Sequence, residues 1–160
     1  MNTITNKCYI GIDPSFRKGG FAVCIIDEDN TVDFLIFEGF LSFLDWLWEA
    51  PQNGVYCVEN SNLQNVTFNM KGSKQVIAKI SRDVGKNQAC SQYTFFVLRK
   101  MFGSNAIEVS PKDKGAKWDN STMQAVLKMN KHPIISNYKG NKNEQDKRDA
   151  YMLALLAKKR

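Results

Sequence analysis

Short apolar runs separated by polar turns fill the first third of the chain. Residues 7–13, 20–27 and 31–37 are rich in Ile, Val, Phe and Cys, and each run has about the length of one strand. The polar tetrapeptide Asp-Glu-Asp-Asn at 27–30 is typical of a hairpin turn. The pattern predicts three consecutive β-strands that form a meander.

Helical and strand patterns alternate in the rest of the chain. Residues 40–49 are apolar on most of one face, which predicts a helix that ends before Pro51. Residues 55–59 predict a short buried strand, parallel to the first because a helical crossover precedes it. The other predictions are a polar loop at 60–73, a long helical segment at 74–102, a fifth strand at 106–109, a basic loop at 110–120, a helix at 121–129 capped by Ser121, and a final helix at 143–159.

This order of elements predicts an α/β fold in which a mixed five-stranded sheet carries helices on both faces. The length of 160 residues fits a single domain that spans 1–160. Gly85 lies inside the long helical segment, where glycine costs about 1 kcal/mol relative to alanine. Its presence predicts close packing or a break in that helix.

Four acidic residues occupy positions that such a fold brings together. Asp13 and Glu59 end the first and fourth strands, which we expect to be neighbours with their carboxyl ends at one edge of the sheet. Asp146 and Asp149 are three residues apart at the start of the last helix, so they project from one face. Converging carboxylates need raised pKa values or bound hard cations, and oxygen ligands suit Mg²⁺ or Mn²⁺. The spacing predicts a two-metal phosphodiester site.

Some of these residues also have a structural interpretation. Asp13 precedes Pro14 and could cap a turn, and Asp146 could cap the last helix. Their joint occurrence at two strand ends and one helix favours the metal site. The one histidine, His132, precedes Pro133 in a loop-like stretch, and we expect neither metal ligation nor general-base work from it.

Basic residues concentrate in the last third of the chain. Residues 110–160 carry 12 Lys and Arg against 5 Asp and Glu, although the net charge of the whole chain is only +6. We therefore expect cations around the aspartate pair, as a polyanionic substrate requires. The basic tripeptide at 158–160 is more typical of a solvated tail.

The cysteines and the amino terminus indicate the compartment. Cys8, Cys24, Cys57 and Cys90 are widely spaced without a CxxC pair, which predicts reduced core thiols and no zinc site. The chain has no apolar leader and no membrane-length apolar run. We therefore expect no membrane partner and a cytoplasmic location in a bacterium or a phage-infected cell. A mature organellar enzyme is the alternative.

Four segments that span nearly the whole chain resemble one known family: IGIDPSFRKGGFAVCII, VYCVEN, SPKDKGAKW and DKRDAYMLAL. Together they resemble the RuvC-type Holliday junction resolvases of the RNase H-like superfamily. The most specific elements are GIDPS, followed by a glycine-containing second strand, and DxxDA at the start of a helix. The resemblance implies that a homodimer nicks two strands of a four-way DNA junction symmetrically. The implied ligands of two Mg²⁺ ions are Asp13, Glu59, Asp146 and Asp149.

The family also has a basic loop after the fifth strand, whose lysines approach the scissile phosphate. Lys114 and Lys117 match that loop approximately, and Lys112 is a weaker candidate. Such lysines would bind DNA and stabilise charge on the phosphate oxygens or the leaving group; an ordinary solvated loop is the alternative. Family members place an aromatic wedge a few residues after the glutamate. Here Phe68 is the candidate for stacking at the junction, with a buried loop anchor as the alternative.

The resemblance implies metal-dependent hydrolysis without a covalent intermediate. Asp13 would bridge both metals, Glu59 and Asp149 would complete opposite sides, and Asp146 would hold the outer shell of one. The products would carry 5′-phosphate and 3′-hydroxyl ends. The long segment 74–102 is the candidate homodimer interface because it is rich in apolar residues, although a wholly internal role fits the same pattern.

Three other functions compete with this one, and the sequence argues against the first two but does not exclude the third. An actin-like sugar kinase or ATPase module shares the early glycine and aspartate but needs a second domain. A non-enzymatic nucleic-acid-binding module of the same fold would keep the basic surface. A nuclease of the same superfamily that acts on flaps or RNA–DNA hybrids would use the same carboxylates.

Overall fold

The computed structural model describes residues 7–63 and 71–160, and these form one mixed sheet of five strands. The strands are β1 (Tyr9–Asp13), β2 (Phe21–Ile26), β3 (Val32–Phe37), β4 (Val55–Glu59) and β5 (Ala106–Val109). Their order across the sheet is β3-β2-β1-β4-β5. The first three strands form an antiparallel meander, and β4 is parallel to both β1 and β5. The predicted strands and the predicted parallel pairing of β1 with β4 are confirmed.

Helices cover both faces of this sheet. They are α1 (Phe40–Leu47), α2 (Lys74–Phe102), α3 (Pro111–Lys114), α4 (Asn120–Asn130) and α5 (Gln145–Lys158). On one face Phe43 of α1 and Leu98 of α2 share a core with Ile10 of β1. On the other face Met123 of α4 and Tyr151 of α5 share a core with residues of β2 and β3. The α/β class, the mixed sheet and the helices on both faces are as predicted. Among the described residues, no helix is both long and apolar enough to cross a membrane.

The alternation of side chains along β1 and β4 decides where the strand-end carboxylates lie. Ile12 and Val58 are neighbours in the parallel register, and both are buried in the core under α1 and α2. Successive side chains of a strand point to opposite faces of the sheet. Asp13 and Glu59, one position further along, therefore lie on the face that α5 covers.

Gly11 lets α5 lie directly on β1. A Cβ atom added at Gly11 would stand 1.9 Å from the carbonyl oxygen of Ala150 and 2.2 Å from the amide nitrogen of Ala154. Both contacts are with helix backbone, which cannot move aside as a flexible side chain can. This close approach fixes the position of the first turns of α5 beside the carboxyl end of β1.

Two local predictions about the helices are wrong. Asp119, not Ser121, caps α4, because its carboxylate accepts a hydrogen bond from the Thr122 N–H at 2.7 Å. Gly85 neither breaks α2 nor packs closely, since the helix continues through it and an added Cβ would meet no described atom within 4 Å. The first half of α2 is largely exposed, so Gly85 has space around it.

The cysteines are free and buried, which confirms the prediction of reduced core thiols. Burial raises the pKa of the Cys8 thiol to about 11 and that of Cys57 to about 12. A thiol is a nucleophile only as the thiolate, so these side chains act as small apolar core residues. Phe68, the predicted wedge, lies outside the described residues.

Candidate active site

A cleft of about 280 Å³ opens at the carboxyl ends of β1 and β4, beside the first turn of α5. Every carboxylate that was predicted for the site lines it. Its lining residues are Asp13, Pro14, Ser15, Arg17, Glu59, Ser61, Asn87, Ser91, Lys114, Lys117, Asp146 and Asp149. We refer to it as the carboxylate cleft.

The Lys114 ammonium group lies between two carboxylates at the bottom of this cleft. It forms an ion pair with Glu59 Oε2 and stands 3.3 Å from Asp149 Oδ2, and its side chain is only 6% exposed. The other oxygen of Asp149 accepts a hydrogen bond from Gln145 Nε2 at 2.9 Å. Glu59 Oε2 is buried, and the Lys114 ammonium group is the partner that neutralises it.

The short helix α3 is the reason that Lys114 reaches this position. Ser110 follows β5, and its Oγ accepts a hydrogen bond from the Asp113 N–H at 3.1 Å and donates one to Asp113 Oδ2 at 2.9 Å. The Lys114 N–H donates to the Ser110 carbonyl at 3.0 Å, which closes the turn. β5 pairs with β4 as far as Glu59 and Val109, so this turn returns the chain onto the end of β4. The prediction of a basic loop at 110–120 is wrong for Lys114, because this residue lies in α3 and its side chain is buried.

Burial and mutual repulsion shift the proton affinities in the cleft. The pKa of Asp13 is well above its ordinary value, first because burial disfavours the charged form and then because the Glu59 carboxylate repels it. Burial also raises the pKa of Asp146, against the opposing charge of Arg17. Burial alone would lower the pKa of Lys114, but the hydrogen bond and charge of Glu59 outweigh it and raise that pKa. Lys114 is therefore a permanent cation in this site.

The remaining predicted residues lie at the rim or outside the cleft. Asp146 is in the first turn of α5, where Arg17 stands 3.8 Å from its Oδ1, and Glu144 rather than Asp146 precedes the helix at the cap position. Lys117 lines the cleft. Lys112 is exposed on α3 and is not one of the lining residues.

The structure adds residues from α2 that the sequence did not indicate. Asn87 and Ser91 line the cleft. Each forms a hydrogen bond to the segment that follows a strand end, β1 for Asn87 and β4 for Ser91. Asn87 Oδ1 accepts a hydrogen bond from the Phe16 N–H at 3.2 Å, and the hydroxyls of Ser61 and Ser91 are 3.3 Å apart. Polar residues on a mostly exposed helix carry no sequence signal of this role, because the role depends on how α2 crosses the sheet.

His132 is buried away from the carboxylate cleft. Its Nδ1 is 2.8 Å from the Tyr151 hydroxyl, and its Nε2 is 3.2 Å from the Lys158 ammonium group. Burial, and then the charge of Lys158, lower the pKa of His132. The neutral imidazole links α5 to the residues that follow α4.

The donor chemistry of the carboxylate cleft suits a hard divalent cation. The acidic side chains all offer oxygen ligands, and Asp13 is buried next to the carboxylate of Glu59, which repels its charged form. However, in the part of the chain that the structure describes, no group of three or more His, Cys, Asp or Glu side chains is arranged to hold a metal ion. The Lys114 ammonium group lies between Glu59 and Asp149 and neutralises both. Metal binding between these two carboxylates therefore requires Lys114 to move.

The electrostatics predict opposite stability effects for two substitutions in the metal-free protein. Because native Asp13 holds its proton more tightly than the unfolded chain does, the wild type loses stability as the pH rises above about 4. Asp13→Asn removes this loss, so we expect the variant to be more stable than the wild type in EDTA at pH 7, by a margin that shrinks toward pH 4. Urea unfolding between pH 4 and pH 8 measures the difference.

Lys114→Ala provides the matched contrast in the same experiment. It leaves Glu59 and Asp149 without their cation, and breaking a buried ion pair costs about 3 kcal/mol. We expect this variant to be less stable at pH 7 and to recover part of the loss at acidic pH. A destabilised Asp13→Asn protein would show that Asp13 serves as a structural turn cap.

Compared with known proteins, the chain matches no family profile, no curated protein and no solved structure.

Proposed function

We propose that this protein is a metal-dependent, structure-selective DNA endonuclease of the RNase H-like fold that resolves four-way junctions. One observation carries the proposal: Asp13, Glu59, Asp146 and Asp149 line one cleft with a buried lysine. Scattered structural carboxylates would have no reason to converge, because their repulsion costs stability. The residue order that resembles the RuvC-type resolvases supports the same function.

The carboxylates of the cleft would hold one or two Mg²⁺ ions, with Asp13 and Glu59 from the sheet and Asp149 from α5. When bound, Mg²⁺ would supply an activated water and neutralise the leaving 3′ oxygen of a phosphodiester. Lys114, released from Glu59 and Asp149, would carry its positive charge to the non-bridging phosphate oxygens. Gln145 would keep Asp149 oriented through their hydrogen bond.

Cations around the carboxylate cleft support a polyanionic substrate. Arg17 and Lys117 line its rim. An adjoining cleft shares Arg17 and adds Lys18 and Lys142, and another shares Lys117 and adds Lys142. A chain of phosphates that lies in the carboxylate cleft would pass along this basic surface, and the attraction would weaken as salt increases.

Paired resolution of a junction requires two sites, so we propose a homodimer. The first half of α2 is the candidate interface. It is largely exposed, and Val76 and Ile80, one turn apart on the same side of the helix, remain accessible there, whereas Phe95 and Met101 of the second half pack against the core of the same chain. Two accessible apolar side chains on an exposed helix face are suited to packing against a second copy.

One observation favours a second candidate, a nucleic-acid-binding module of the same fold without catalysis. Lys114 lies between Glu59 and Asp149 and neutralises both carboxylates. If the lysine stays in place, the site is an internal ion-pair cluster, and the basic surface alone binds nucleic acid. Such a module would bind branched DNA equally well in Mg²⁺ and in EDTA.

A panel of end-labelled substrates tests the proposal. The substrates are a four-way junction, a flap, an RNA–DNA hybrid and a linear duplex of the same sequence, each incubated with Mg²⁺ or with EDTA. We expect paired, symmetric nicks in the junction with Mg²⁺ only, and products that DNA ligase can reseal because the ends are 5′-phosphate and 3′-hydroxyl. Sedimentation velocity with and without the junction should show a dimer.

Each of the other outcomes of the substrate panel would support a different conclusion about the function. Cleavage restricted to the hybrid or the flap, by a monomer, would replace the junction activity with another nuclease activity of the superfamily. Binding of the junction without cleavage of any substrate would support the non-catalytic module. Absence of both binding and cleavage would reject the nucleic-acid function altogether.

A further inference from the structure

An exposed aromatic residue, Phe16, lies in the chain segment that borders the carboxylate cleft. It lies three residues after Asp13 in the connection between β1 and β2, and it is 58% exposed. Its two neighbours along the chain, Ser15 and Arg17, both line the cleft. Phe16 is not itself a lining residue, but it lies in the connection that borders the cleft, and its ring contributes little to the core.

The surroundings of Phe16 hold this connection in a defined shape. The Phe16 N–H donates a hydrogen bond to Asn87 Oδ1 at 3.2 Å, and the Lys86 ammonium group lies 4.8 Å from the ring centroid. The Gly20 N–H donates to the Arg17 carbonyl at 3.0 Å, which closes a turn at the tip of the connection. The hydrogen bonds thus order the backbone of this connection, and the cation–π contact holds a ring that belongs to none of the core clusters of the described residues.

We propose that Phe16 is a stacking platform for an unpaired nucleobase of the DNA strand that enters the carboxylate cleft. The inference rests on the proposed nuclease function and names the feature of the substrate that the site would select. A flat aromatic ring stacks on a base of any sequence, and adjacent cations attract the phosphates on either side of that base. Lys86 and Arg17 supply those cations.

The platform would discriminate branched from continuous DNA. Within a duplex each base already stacks on its neighbours, so it has no free face for a protein ring. Strand exchange points, flaps and mismatches leave bases that can be drawn out at low cost. Binding through Phe16 would therefore raise the affinity for distorted DNA above that for paired DNA, independently of Phe68.

Fluorescence quenching in EDTA tests the platform without any cleavage. The probe is 2-aminopurine, placed at an unpaired position next to the branch point of a junction or in the single-stranded tail of a flap. We expect wild-type protein to change its fluorescence and Phe16→Ala to lose that change, with an affinity for the branched DNA lowered about tenfold. Phe16→Trp should restore both.

Matched controls separate stacking from other effects. Trp48 is 80% exposed at the end of α1, and Trp48→Ala should leave binding unchanged. The affinity for a continuous duplex should stay within about twofold for Phe16→Ala, because phosphate contacts supply that binding. Equal losses on branched and continuous DNA, or no loss on either, would overturn the stacking role while leaving the nuclease proposal intact. If the wild type bound no DNA, both proposals would fail together.

Discussion

Asp13→Asn is expected to abolish Mg²⁺-dependent cleavage of branched DNA, with a rate loss of about a hundredfold or more. Asparagine has nearly the same volume as aspartate but lacks its charge. The substitution therefore lowers the affinity of the site at the end of β1 for a divalent cation. Catalytic metal ions contribute several kcal/mol to transition-state stabilisation, and each 1.36 kcal/mol is about tenfold in rate. Single-turnover cleavage of an end-labelled junction in Mg²⁺ measures the loss.

The same loss is expected for Glu59→Gln and Asp149→Asn, and also for Asp146→Asn, while the affinity for the junction persists. Asp45→Asn is the matched control, because this exposed carboxylate lies on α1, on the other face of the sheet. Binding by electrophoretic mobility shift in EDTA checks that the variants still fold and bind. Wild-type cleavage rates in two or more of the four cleft variants would refute the carboxylate site.

Gly11→Ala is expected to destabilise the protein by about 3 kcal/mol or more, or to prevent folding. The added methyl group would overlap the backbone of α5 at Ala150 and Ala154, where no side chain can rotate away. Relief requires α5 to separate from β1, which also moves Asp149 away from Asp13. Urea unfolding followed by circular dichroism measures the change.

Gly85→Ala is the control for the same chemical change in an open environment. An added Cβ meets no described atom within 4 Å, and the residue is in the interior of α2. Alanine favours a helix over glycine by about 1 kcal/mol, so this variant should be more stable than the wild type. Two variants of equal stability would show that β1 and α5 are not in direct contact.

The amino-acid sequence by itself determined the five described strands, the longer helices and their order. Short apolar runs predicted the strands, because a strand that is buried on both faces must be apolar over most of its length. A helical segment between the third and fourth strands predicted the parallel pairing of β1 and β4. Asp13 and Glu59 stood out because each ends such a strand.

The start of α3 and the cap of α4 were harder to predict from the sequence, because both depend on hydrogen bonds of capping side chains. Ser110 and Asp113 form the hydrogen bonds that start α3, but the surrounding lysines and glycine are equally typical of a loop. A helix of four residues has too few positions to show a period. The choice between Asp119 and Ser121 as the cap of α4 likewise depended on backbone geometry, since both residue types are good caps.

The tertiary structure alone decided the chemistry of the carboxylate cleft. In the sequence Lys114 is indistinguishable from the other lysines of a basic stretch. In the structure α3 buries its ammonium group between Glu59 and Asp149. Asn87 of α2 and Phe16 meet only because the long helix crosses beside the end of β1. Proximity between residues far apart in the chain depends on how helices pack on the sheet, and packing is set by the shapes of whole faces rather than by any local pattern. The sequence therefore determined which residues carry charge at the ends of the strands, and the fold decided which of these charges meet.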